Sequence, residues 1–174
     1  LLEHAVAKVE GVAGQFPQVA GLRFSFDPAR PGLRSQANGD DIDQAGERVR
    51  NLAVVDDSGA IIDTVVQNGV LQGDANRVFR LVTLGFLATE NAENGLGGDG
   101  YPFDFPVENR LDLEEEAVSG PDQATFAAPG TEQDALAEYL IAHFDAASPY
   151  AEAETDTDQD GRIQNLADRA DTVL

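Results

Sequence analysis

Between residues 79 and 89 bulky apolar side chains crowd the chain, Phe79-Arg80-Leu81-Val82-Thr83-Leu84-Gly85-Phe86-Leu87-Ala88-Thr89. After a short acidic interruption the chain empties into Gly97-Gly98-Asp99-Gly100-Tyr101-Pro102. The run predicts a buried strand at the centre of a sheet. A strand that opens into glycines, one carboxylate and one aromatic residue is how a rigid scaffold presents a binding loop. Glycines at 97, 98 and 100 leave the backbone free to take positive φ and let a ligand approach the main chain, while Asp99 offers acceptors to hydroxyl or amide hydrogens. The same residues make good hairpin chemistry. Taken alone, the stretch leaves binding loop and plain turn both open.

The rest of the chain supplies the sheet that this run needs. Leu22, Phe24 and Phe26 alternate with Arg23 and Ser25, which predicts a half-buried strand. Residues 48–55 and 60–66 flank Asp56-Asp57-Ser58-Gly59 and read as a hairpin, with Asn68-Gly69 closing its second strand. Between them, residues 29–46 turn to Pro, Gly, Asn and Asp, a surface loop whose tip at Asn38-Gly39-Asp40-Asp41 has nothing to bury. Leu2, Val6 and Val9 share one face of an amphipathic helix at the start. A second helix begins at Thr131, an N-cap followed by Glu132 and Asp134, and its apolar face is Leu136, Tyr139, Leu140, His143 and Phe144. Phe103, Phe105, Val107 and Leu111 are interrupted by prolines and predict an irregular segment pinned to the core. Glu114-Glu115-Glu116 and the residues to 130 read as solvated surface. With 174 residues, 42% of them hydrophobic, the expectation is one domain over 1–174, α+β, a mixed sheet with helices packed on it.

Charge narrows the partners. A formal net charge of -21 repels nucleic-acid phosphates and anionic membrane surfaces over the Debye length, so neither is an expected partner. Lys8 is the sole lysine, and the positive charge is otherwise arginine, concentrated at Arg23, Arg30, Arg34, Arg48, Arg50, Arg77 and Arg80. The chain has no cysteine, which removes disulfides, thiolate metal sites and thiol nucleophiles. No apolar run is long enough to span a bilayer. His4 and His143 stand far apart in sequence with none of the usual metal-ligand spacings, and both read as packed or surface histidines. Neither a nucleophile elbow nor a P-loop occurs.

The acidic turn Asp156-Thr157-Asp158-Gln159-Asp160-Gly161-Arg162-Ile163 has oxygen ligands at alternate positions, a glycine for the sharp bend and an apolar anchor two residues on. Those features make up the first two-thirds of a calcium loop. The closing acid is missing, since Ala167 stands in its place with Asp168 one residue late. Calcium at Asp156, Asp158 and Asp160 and a solvated acidic turn both fit.

Taken in order, Leu2-Glu3-His4-Ala5-Val6, the segment Phe16-Pro17-Gln18-Val19-Ala20-Gly21-Leu22-Arg23-Phe24-Ser25-Phe26-Asp27-Pro28, then Arg30-Pro31-Gly32, Arg48-Val49, Asn68-Gly69, Phe86-Leu87-Ala88, Gly97-Gly98-Asp99-Gly100-Tyr101 and Gly161-Arg162-Ile163 form a pattern. It resembles the C-terminal domain of the 5'-nucleotidase family, which includes bacterial periplasmic UDP-sugar hydrolases and animal ecto-5'-nucleotidases. The resemblance implies the substrate-binding half of a periplasmic or extracellular phosphoester hydrolase. In that reading hydrolysis belongs to an N-terminal metallophosphoesterase domain with two divalent metal ions, absent from this chain, and the fold here lacks its first strand. Phe86 inherits stacking on the base of a nucleoside or nucleotide, and Asp99 inherits the ribose hydroxyls. Gly97, Gly98 and Tyr101 complete the implied substrate-binding set. The partner aromatic and the phosphate-binding arginines of the family would precede Leu1. This chain departs from the family by inserting residues 90–96 before Gly97, by the loop 33–47 and by much of 103–129. Together these departures imply a divergent branch acting on a different phosphoester, and the insertion 90–96 supports an alternative, a noncatalytic calcium-stabilised surface or adhesion module that kept the fold and lost the pocket.

Overall fold

A computed structural model describes residues 1–11, 14–35, 42–104, 107–116, 125–151 and 153–174. It is a small mixed α+β structure with a five-stranded mixed sheet and few helices. The chain forms two compact units, Leu1–Phe105 with Thr155–Leu174, and Pro106–Glu154.

The first unit carries α1 (Leu2–Ala5), β1 (Leu22–Phe26), β2 (Arg34–Ser35), β3 (Ile42–Gln44), β4 (Val49–Val55), β5 (Ile61–Gln67), β6 (Val70–Leu71) and β7 (Ile163–Asn165). The large sheet runs β6-β5-β4-β1-β7. Its neighbours are antiparallel except β1 and β7, which pair in parallel. The alternation of β1 places Phe24 and Phe26 in a core with Val6, Val49 and Ile163, and Leu2, Val9, Phe16, Val19 and Leu52 pack around it. Ser25, on the other face, is also fully buried. Its hydroxyl donates to the Asp171 carboxylate at 2.5 Å and accepts the Asn51 N–H at 3.0 Å. Burial of Ser25 is tolerated here because its hydroxyl finds partners.

The predicted hairpin is present as β4 and β5. Its turn is held by the Asp56 carboxylate, which accepts the N–H groups of Ser58 and Ala60, both at 2.9 Å. Asn68 and Gly69 then take φ of 53° and 80°, two successive left-handed residues that favour Asn-Gly, and lead into β6. The first helix is shorter than its periodicity predicts, a single turn, although Leu2, Val6 and Val9 do face the core. Tertiary bonds hold it. Arg48 donates to the Val6 carbonyl at 2.8 Å, and the Glu3 carboxylate accepts the N–H groups of Arg48 and Val49 at 3.1 and 2.9 Å.

Residues 79–89 are not a buried strand: the backbone from 77 to 84 has no regular secondary structure, 85–88 form a turn, and Val78, Leu81, Val82 and Leu84 are exposed. A strand needs a neighbour, and in the described sheet β1 is flanked by β4 and β7 while β5 is flanked by β4 and β6. The surface segment 29–46 also contains order, because β2 and β3 pair as a two-stranded ribbon. Its predicted tip, residues 38–41, lies outside the described residues.

The second unit contains α2 (Leu113–Glu116) and α3 (Glu132–His143). Thr131 caps α3 as its position predicts, accepting the Asp134 N–H at 3.4 Å, and the Asp134 carboxylate accepts the Gly130 N–H at 3.0 Å. The predicted apolar face is not a buried one. Leu136 and Tyr139 are exposed, and Tyr139 makes ring contacts with His143 and Phe144 at 4.6 and 6.1 Å. Beyond Tyr101, Phe103 and Val107 are half-buried and Leu111 is exposed, while Phe105 lies outside the described residues.

Candidate functional site

The glycine cluster and Phe86 come together, although no strand delivers them. Leu87 and Ala88 both donate to the Leu84 carbonyl, at 3.0 and 3.2 Å, which closes a turn at Phe86. Gly98 N–H then donates to the Phe86 carbonyl at 3.1 Å, and Gly97 N–H donates to the Tyr101 carbonyl at 2.8 Å. Residues 90–96 form their own loop, fastened by Asn91 N–H to the Leu96 carbonyl at 2.7 Å and Gly95 N–H to the Asn91 carbonyl at 2.8 Å. An open depression of about 550 Å³ results, lined by Phe86, Thr89, Glu90, Asn91, Asn94 and residues 97–100.

Space explains the glycines at 97 and 98. A Cβ on Gly97 would run into the Leu87 carbonyl oxygen, and one on Gly98 would run into the Phe86 ring. The ring therefore lies against the Gly98 backbone while 64% of the residue's surface stays exposed. Asp99 takes φ 55° and ψ 20° within a 3-10 turn over Gly98–Gly100, a left-handed conformation that is uncommon for a residue with a side chain. It is exposed, whereas Tyr101 is buried beside it.

Three residues of the first unit brace this loop from behind. His4 Nε2 bonds the Asp99 carbonyl at 2.9 Å, and its ring meets that of Tyr101 edge-on at 4.8 Å. Tyr101 donates its hydroxyl to the Gln15 carbonyl at 2.7 Å, and Gln15 donates its amide to the His4 carbonyl at 2.8 Å. Burial pushes the Tyr101 hydroxyl above its ordinary pKa, with the nearby Asp99 charge adding to the effect. Burial also holds the His4 imidazole below the usual histidine value, against a smaller upward pull from its bond to the Asp99 carbonyl. Sequence alone does not point to His4 and Gln15 as parts of the site. Their partners lie 95 and 86 residues away, and no local spacing carries that information.

Chemically, the lining offers one aromatic face, two carboxylates, two carboxamides and a hydroxyl. It suits a planar ring and hydroxyl or amine hydrogens, and among the lining residues there is no cation. The acidic turn is a separate feature. Asp160 is committed to its own backbone, its carboxylate accepting the Arg162 N–H at 2.8 Å and the Ile163 N–H at 3.4 Å, and Gln159 N–H donates to the Asp156 carbonyl at 2.8 Å. Asp156 and Asp158 are exposed. Among the described residues no three histidine, aspartate or glutamate side chains gather as a metal-binding group, and no helix is long and apolar enough to cross a membrane.

No family of known proteins, no curated protein and no solved structure matches this chain.

Proposed function

We propose that this chain is the nucleoside-binding part of a periplasmic or extracellular 5'-nucleotidase-like phosphoester hydrolase. Hydrolysis then belongs to a metallophosphoesterase domain outside this chain that holds two divalent metal ions. One observation carries the reading: an exposed aromatic ring, Phe86, and an exposed carboxylate, Asp99, border the same open depression, with Gly97 and Gly98 keeping the floor at backbone level. Phe86 stacks on the base, which contributes about 1–3 kcal/mol by analogy with aromatic platforms for single-stranded bases. Asp99 accepts ribose hydroxyl hydrogens, for about 1.5–3 kcal/mol as a charged acceptor.

Titrating adenosine and uridine into the native chain, Phe86→Ala and Asp99→Asn, with amide shifts as the readout, tests the assignment. Expected are shifts at 86–101 in the native protein that both variants weaken. Shifts confined to residues far from 97–101 would sink it. The calcium reading of the acidic turn has its own test, thermal unfolding with and without millimolar calcium. Stabilisation that Asp158→Ala abolishes assigns the ion to Asp156, Asp158 and Asp160 by linkage, and an equal shift in both proteins removes the turn as its site.

A further inference from the structure

We infer that His4 is a positioning residue of this depression, holding Asp99 in the left-handed conformation that keeps its carboxylate at the rim. The bond from the imidazole falls on the carbonyl of the strained residue itself, at 2.9 Å, and Asp99 is the residue with φ 55°. A carbonyl only accepts, so His4 must be the Nε2–H tautomer. A further contact fixes the ring, since Tyr101 meets it edge-on at 4.8 Å. The helix turn carrying His4 is itself tied to Tyr101 through Gln15, by bonds of 2.8 and 2.7 Å. His4, Gln15 and Tyr101 thus close a ring of contacts under the loop, and of these bonds the one from His4 reaches Asp99. Left-handed backbone at a residue with a side chain persists where surrounding structure over-determines it.

The inference rests on the nucleoside reading for its effect on ligand, and its test separates the two. In the isotope-labelled native chain at pH 7.5, imidazole nitrogen shifts should report the Nε2–H tautomer; the Nδ1–H tautomer overturns the proposal outright. In ligand-free protein, His4→Phe keeps an aromatic ring but loses the donor, and should move the Asp99 and Gly100 amide signals and the Asp99 φ-dependent coupling while β1 signals stay in place. His4→Gln, which restores an N–H near Nε2, should return them close to native. With uridine, His4→Phe should weaken binding about tenfold, the loss expected when one supporting hydrogen bond goes, and His4→Gln should stay within about twofold of native. Native-like Asp99 signals in His4→Phe, or equal losses in both variants at matched thermal stability, overturn it. If the native chain ignores uridine, the functional reading fails and the ligand-free arm still decides the role of His4.

Discussion

Phe86 borders the depression with most of its surface in water, so truncating it removes little buried apolar area. Phe86→Ala should therefore cost under about 1 kcal/mol of stability, against about 3–5 kcal/mol for a phenylalanine in a core. Urea unfolding of the two proteins measures the difference. A core-sized loss would place the ring inside the fold and away from any ligand. His4 leads to a second residue-level expectation. Folding withdraws its imidazole from water, so its folded pKa lies below the unfolded one, and the unfolded chain takes up the proton first as pH falls. Its contribution to stability is thus complete above the unfolded value of about 6.5 and is lost as pH drops through that value toward the folded one. Glu10 and Asp56, whose carboxyls are held below their ordinary range by Arg48 and by Ser58, stay ionised throughout this window. Between pH 7.5 and 5.5 the urea midpoint of the native chain should fall more than that of His4→Gln, and parallel falls would remove His4 as the cause. Sequence points to the glycines at 97, 98 and 100 through positive φ, which of the three only Gly100 takes, but not to the lack of space at Gly97 and Gly98, where the Leu87 carbonyl and the Phe86 ring occupy the place of a Cβ. It could not supply His4, since only the tertiary fold brings position 4 to position 99.

Among the elements, the short first helix depends on β4 more than on its own turn. Arg48 is almost fully buried at the start of that strand and donates to the carbonyls of Val6 and Arg30 and to the Glu10 carboxylate. Arg48→Met would leave those carbonyls without their donor and should cost about 2–4 kcal/mol, read from thermal or urea unfolding. Glu10→Gln should do far less, because Glu10 lies in solvent and loses only a screened charge. Equal effects would mean that the ion pair, and not the bonds to the backbone, ties α1 to the sheet. The same logic explains which elements were legible. The strands β1, β4 and β5 and the cap at Thr131 are written in residues adjacent to one another, through alternation, turn chemistry and capping. Residues 79–89 show that alternation reports the sidedness of a segment and not whether a neighbour exists to pair with it. Parallel pairing of β7 with β1 joins residues 24–26 to 163–165, a distance along the chain at which no local pattern operates, so the sheet's second edge was not legible either.

For the molecule as a whole, 32 acidic residues face 11 basic ones. Even with every arginine and the lysine engaged, most carboxylates have no cation to pair with, so the long-range field is repulsive and opposes the compact state. Attractive pairs do exist, such as Arg77 with Asp63 at 3.1 Å and Arg30 with Asp27 at 3.4 Å, but their carboxylates are partly exposed and contribute little. Salt acts on both. Raising ionic strength shortens the Debye length from roughly 30 Å at 0.01 M to about 3 Å at 1 M, which screens the many distant repulsions and weakens only a few close attractions. Repulsion wins by number, so sodium chloride should stabilise this protein. A gain of about 1–2 kcal/mol corresponds to a rise in Tm of roughly 2–8 °C for a chain of this length. Scanning thermal unfolding from 0.01 to 1 M salt at pH 7.5 tests the balance, with the steepest rise expected below about 0.15 M, where screening changes fastest. A flat or falling Tm would show that the close pairs, Arg48 with Glu10 foremost, carry more of the fold than the net charge takes away.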